Sequence, residues 1–87
     1  MGMQSSEIIE KIKDKAEEIA RDLELTLHEI KLFRDKRGWI LRFTISRQSG
    51  TSIKDCEIYS RRIEAYLDQI DIISDKYFLE VQSKGIK

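Results

Sequence analysis

Residues 26–47 constrain the fold more than any other stretch. Two strand candidates, Thr26 to Arg34 and Trp39 to Arg47, flank the turn cluster Asp35-Lys36-Arg37-Gly38. The glycine supplies the positive φ that a tight reversal requires. Their register can be read from the apolar residues. With Arg34 opposite Trp39, Leu32 meets Leu41 and Ile30 meets Phe43, so all four apolar residues share one face. A slip of one residue would turn them to water. Phe33 then lies beside Ile40 and Lys31 beside Arg42 on the other face, and His28 falls opposite Ile45 on the core side.

Such a hairpin needs cover for its apolar face, and the flanking sequence offers it. Before it, Ile8, Ile12, Ala16, Ile19 and Leu23 recur at helical spacing, with Ile9 and Ala20 widening the stripe. Ser5 or Ser6 can cap this helix near Glu7. Glu7–Lys11 and Glu17–Arg21 stand at i,i+4 on its outer face. After the hairpin, Gln48-Ser49-Gly50 reads as a loop. Ser52 and Asp55 then fit the [ST]-x-x-[DE] pattern that satisfies free N–H groups at a helix start. Cys56, Ser60, Ile63, Leu67 and Ile70 form the second helical stripe, with Tyr59 and Tyr66 beside it. That helix is expected to end near Asp68 or Gln69, and Ile72 and Ile73 to tuck back over the core. Tyr77, Leu79 and Val81 alternate with Phe78, Glu80 and Gln82, which predicts a third strand.

The expected fold is therefore α+β, a two-layer α/β sandwich in the order α-β-β-α-β. Both helices cover one face of a three-stranded sheet. The other face, carrying Lys31, Phe33, Ile40, Arg42 and Thr44, is expected to stay wet. The pattern leaves open whether the third strand lies beside the first or the second. Eighty-seven residues suit one domain with one modest core. Met1-Gly2-Met3 reads as an expression remnant, so residues 1–3 are set aside and residues 4–87 are expected to form the domain.

Read from Leu41, the stretch LRFTISRQSGTSIKDCEIYSRRI, followed by YFLEVQSKG, resembles the N-terminal domain of the bacterial ribosome maturation factor (RimP) family. Three spaced blocks carry the likeness. Leu41, Arg42 and Ile45 match the first, and Gly50 the loop after it. Ile53, Asp55, Cys56, Ser60, Arg61 and Ile63 match the second. Tyr77, Leu79, Glu80, Val81, Ser83 and Gly85 match the third. Ser46 stands where the family usually has Asp, and Gln82, Lys84 and Lys87 replace a Ser, a Pro and an Asp. The resemblance implies a non-enzymatic assembly factor that binds the immature small ribosomal subunit through ribosomal RNA and ribosomal protein. It implies no cofactor and no small-molecule substrate. It also implies a following SH3-like barrel, absent from this sequence, with Ser83, Lys84 and Gly85 as the interdomain hinge.

Charge is segregated although it sums to zero. Residues 7–24 carry seven acids and four bases, as do residues 52–80. In between, Lys31, Arg34, Lys36, Arg37, Arg42 and Arg47 face Asp35 alone. Cations beside Trp39 and Phe33 suit RNA, because cations neutralise phosphate and rings stack on unpaired bases. These six residues are the candidate nucleic-acid-binding set. An ordinary solvated hairpin is the competing reading.

Other chemistry finds little support. Cys56 and His28 are isolated, whereas a metal needs three or four ligands at fixed spacing. Cys56 sits on an apolar stripe, as a buried free cysteine does. His28 is expected to be hydrogen-bonded at the sheet edge. No Gly-rich phosphate loop or G-x-x-G clamp occurs. Arg61 is expected to pair with Glu57. One cysteine cannot form an internal disulfide, and no run approaches a membrane span, so a cytoplasmic protein with no membrane partner is expected. The alternative from another class is a protein–protein interaction module without RNA affinity, docking a partner strand on the hairpin or on the edge of Tyr77–Gln82.

Overall fold

The computed structural model of the chain describes residues 5–73 and 75–84. Residues 1–3, set aside above, and the hinge residue Gly85 lie outside them. The elements are helix α1 (Ser5–Asp22), strands β1 (Thr26–Asp35) and β2 (Gly38–Ser46), helix α2 (Ile53–Ile70) and strand β3 (Tyr77–Ser83). This is the expected α-β-β-α-β order, with a three-stranded mixed sheet.

β2 is the central strand, antiparallel to β1 and parallel to β3. A parallel pair needs a long crossover, and α2 provides it. The hairpin register is the expected one: Arg34 opposes Trp39, Leu32 opposes Leu41, and Ile30 opposes Phe43. β3 extends each row, placing Tyr77 beside Trp39, Leu79 beside Leu41 and Val81 beside Phe43.

The inner face of the sheet and both helices share one core. Ile8, Ile12, Ala16, Ile19 and Ala20 of α1 meet Leu41, Phe43 and Ile45 of β2 and Tyr59, Ile63 and Leu67 of α2. Each large apolar side chain among these stabilises the fold by roughly 1.5–3 kcal/mol on burial. Ile73 is buried as well, folding back over this core as expected. The second stripe is centred differently from the expected one. Tyr59 is fully buried rather than flanking, while Ile70, expected inside, is 37% exposed. The tyrosine Oη donates a 2.9 Å hydrogen bond to the Ala16 carbonyl, so the ring can bury its polar end against α1.

Helix ends follow local chemistry. α1 takes in Ser5 and Ser6 instead of starting after them. It closes with Leu25 N–H on the Ala20 carbonyl (2.7 Å) and Glu24 N–H on the Arg21 carbonyl (3.0 Å), with Glu24 at φ 59°. That is the paired closure by which helices satisfy their last carbonyls. On its surface Lys15 pairs with Glu18, rather than Lys11 with Glu7 or Arg21 with Glu17. α2 starts with the expected capping box: Asp55 N–H donates to Ser52 Oγ (3.2 Å) and Ser52 N–H to Asp55 Oδ2 (3.0 Å). It runs to Ile70, slightly past the expected end, with Asp71 as its left-handed cap.

Two expectations about the sheet are corrected. Ile40 is fully buried and Thr44 only 7% exposed, so this face is not simply wet. Ile40 lies in one row between Phe33 and Phe78, which flank it on the neighbouring strands, and Gln82 Nε2 donates to Thr44 Oγ1 at 3.0 Å. Long side chains on the flanking strands thus cover the central strand without a second layer. His28 does not oppose Ile45. A β-bulge between Leu27 and Glu29 gives Ile45 to Leu27, and His28 is exposed, its Nε2 2.6 Å from Ser46 Oγ. The extra residue re-aims the histidine away from the core, while its expected hydrogen bond at the sheet edge is present.

Candidate nucleic-acid interface

The tight turn of the hairpin sets one end of the site. Neither Lys36 nor Arg37 has a positive φ, and the reversal is completed at Gly38, φ 119°. The Asp35 carboxylate braces it by accepting Arg37 N–H at 2.8 Å and the Arg37 guanidinium at 2.9 and 3.3 Å. The guanidinium bond holds the Asp35 carboxyl below its ordinary range, and raises Arg37 in turn. Arg37 stays 59% exposed, so this pair adds little stability. Its worth lies in fixing where the guanidinium sits. Lys36 projects from the same turn and is exposed. Arg34 lies with its guanidinium 5.8 Å from the centre of the half-buried Trp39 ring.

On the outer face, Lys31 and Arg42 stand directly opposite each other. Like charges so placed repel. β3 relieves this by setting Glu80 beside Arg42, where the two form an ion pair. The Arg42 guanidinium also lies 4.8 Å from the centre of the Phe33 ring. Arg42 is thus engaged within the fold, and Lys31 remains exposed.

Arg47 is at the far end of β2, away from the turn. Its Nη2 donates to Asp55 Oδ1 (2.9 Å) and to the Leu23 carbonyl (2.9 Å), and its Nε to Asp55 Oδ2 (3.2 Å). Those bonds and the Ser52 amide lower the Asp55 carboxyl to about 2. The structure therefore gathers Arg34, Lys36 and Arg37 at the turn, sets Lys31 and Arg42 mid-sheet, and gives Arg47 to a joint between elements. Among the described residues, Lys31, Arg34 and Lys36 make no ion pair.

Two residues missing from the candidate set join the turn end. A shallow depression of about 460 Å³ there is lined by Arg34, Arg37, Gly38, Trp39, Asp75, Lys76 and Phe78. Lys76 immediately precedes β3 and Phe78 is its second residue. Parallel pairing of β3 with β2 brings the start of β3 beside Trp39. The signal was present in the alternation of Tyr77–Gln82, but it could be used only once the neighbour of β3 was known.

The remaining named residues have structural surroundings. Cys56 is half-buried, and burial pushes its thiol pKa up. Arg61 pairs with Glu57 as expected. Of the hinge residues, Ser83 ends β3 beside Ile45, and Lys84 N–H donates to the Ile45 carbonyl at 2.9 Å.

The sequence profile of the RimP N-terminal domain matches residues 15–87. The chain belongs to the RimP N-terminal domain family. RimP proteins are ribosome maturation factors, acting in general with the small ribosomal subunit, and are not a known enzyme class. The matched span takes in most of α1, the whole hairpin, α2 and β3, so the basic turn and the depression both lie within the RimP region. The fold is also shared with a solved chain described as "Mode of Action of a Putative Zinc Transporter CzrB", at TM-score 0.59 and 21% identity, covering 97% of this chain and 100% of that one. At that identity the likeness speaks for the fold alone. Among the described residues no helix is long and apolar enough to cross a membrane.

Proposed function

We propose that this RimP N-terminal domain is a non-enzymatic, cytoplasmic assembly factor domain that binds the immature small ribosomal subunit, with its basic hairpin facing ribosomal RNA. Family membership over residues 15–87 carries the reading. The exposed cations Lys31, Arg34 and Lys36, free of ion pairs among the described residues, support it. A cation already neutralised inside the protein contributes little counterion release, so these three count for more than Arg42 or Arg47. In the same proposal, Ser83 and Lys84 lead from β3 into a following domain.

The test is binding to small-subunit RNA across a salt series, using Lys31→Glu combined with Lys36→Glu. Both side chains are exposed, so the fold tolerates the change. The substituted protein should bind more weakly, with the log–log salt slope shallower by about 0.7–0.9 for each phosphate no longer neutralised. Unchanged affinity and slope would remove RNA binding from the hairpin.

A second reading has its own observation. β1 and β3 are both outer strands, each with one edge unpaired among the described residues. The edge of β3 could receive an extended strand of a ribosomal protein. Binding confined to protein, with shallow salt dependence, would favour this reading.

A further inference from the structure

We propose that the depression at the turn end of the sheet holds one unpaired RNA nucleotide, its base stacked on Phe78 and its phosphate met by Lys76 and Arg37. The inference rests on the RNA reading above and assigns it a site.

Among the described residues, Phe78 is one of few large apolar side chains left open, at 44% exposure. It flanks the fully buried Ile40, so part of its surface is needed by the fold and the rest is available. Stacking on an exposed ring is how proteins hold unpaired bases, because every base has a π-face. A duplex keeps its bases stacked on each other and offers none. The depression, about 460 Å³, falls within the size range of small-molecule sites. Around it stand Arg34, Arg37 and Lys76 against Asp75 and the Asp35 that braces Arg37, leaving a net charge of +1. Arg37 uses its Nε and one Nη2 donor on Asp35, and its other N–H groups remain for a phosphate. The brace also fixes the guanidinium before binding, which lowers the ordering cost.

Trp39, the sole tryptophan, lines the same depression and reports on it directly. The experiment titrates the full chain with a short single-stranded RNA and with a duplex of the same sequence, reading Trp39 fluorescence. Single strands should quench Trp39, and duplex should leave it unchanged. Phe78→Leu keeps the apolar cover on Ile40 but removes the ring. It should weaken single-strand binding about ten-fold with the salt slope unaltered, while Phe78→Tyr restores binding. Lys76→Gln should instead make the slope shallower by about 0.7. Equal quenching by duplex, or full affinity in Phe78→Leu, overturns the nucleotide site. If Lys31→Glu with Lys36→Glu still weakens binding in that case, the RNA reading stands without it. Failure to bind RNA at any salt concentration overturns both.

Discussion

Arg47 and Asp55 share two hydrogen bonds, Nη2 to Oδ1 at 2.9 Å and Nε to Oδ2 at 3.2 Å. The same guanidinium reaches the Leu23 carbonyl, so one side chain joins the end of β2, the start of α2 and the end of α1. These bonds hold the Asp55 carboxyl at about 2, below its ordinary 3.8. A lowered carboxyl pKa gives stability that is full above the ordinary value and is lost as pH falls towards the lowered one. Thermal melts should therefore separate the natural chain from Asp55→Asn most clearly at neutral pH. The gap should close between about pH 4 and pH 2. A gap independent of pH would mean that the carboxylate charge is not what the joint uses.

Ser52 supplies the other half of the cap. Ser52→Ala removes the acceptor for Asp55 N–H and should cost about 1 kcal/mol. For a domain of this size that lowers the melting temperature by about 4–8 °C.

Ile40 and Ile53 make a matched pair for denaturant unfolding. Ile40 is fully buried although it is on the outer face, and Ile53 is 79% exposed. Ile40→Ala should cost about 2–4 kcal/mol, and Ile53→Ala should stay within about 0.5 kcal/mol. Equal small losses would show that Phe33 and Phe78 do not seal that face.

Tyr59 contributes through both its ring and its hydroxyl. Its ring meets Phe43 edge-on, centroids 5.8 Å apart and planes at 62°. Tyr59→Phe keeps this packing and gives up only the bond to Ala16, at about 1 kcal/mol. Tyr59→Ala empties the site and should cost about 3–5 kcal/mol. Burial raises the phenol above its ordinary 10.0, so stability contributed by Tyr59 should fall as pH rises past that value.

Gly38 has open space where a Cβ would stand, but its φ of 119° is one that side-chain-bearing residues rarely adopt. Gly38→Ala should destabilise by about 1 kcal/mol or more through backbone strain alone, read as a shift of the urea midpoint without a change of slope.

The hairpin register was legible because four apolar residues had to share a face, which excludes odd slips, and because the short turn at Asp35-Lys36-Arg37-Gly38 fixes the pairing among the rest. The Ser52–Asp55 cap was legible because it is a local pattern. What the sequence concealed is mostly non-local. The alternation along β2 assigns Ile40 to the outer face but cannot say that Phe33 and Phe78 flank it. Tyr59 was legible only as a neighbour of its stripe, since its place depends on a carbonyl of α1. The bulge at His28 breaks no composition rule. Arg47 counted as one more hairpin cation because its partners, Asp55 and Leu23, lie on other elements. Lys76 and Phe78 joined the site through the placement of β3, which alternation alone does not fix.

The central place of β2 also orders events in time. As the chain is synthesised, α1, β1 and β2 emerge first, and β2 can then pair on one side only. Its other edge waits for Tyr77–Ser83, which register with it from Trp39 to Ile45. Pairings between partners so far apart in sequence form late, since loop closure precedes any gain from them. Until β3 arrives, the nascent domain exposes an open strand edge, and the depression beside Trp39 does not yet exist.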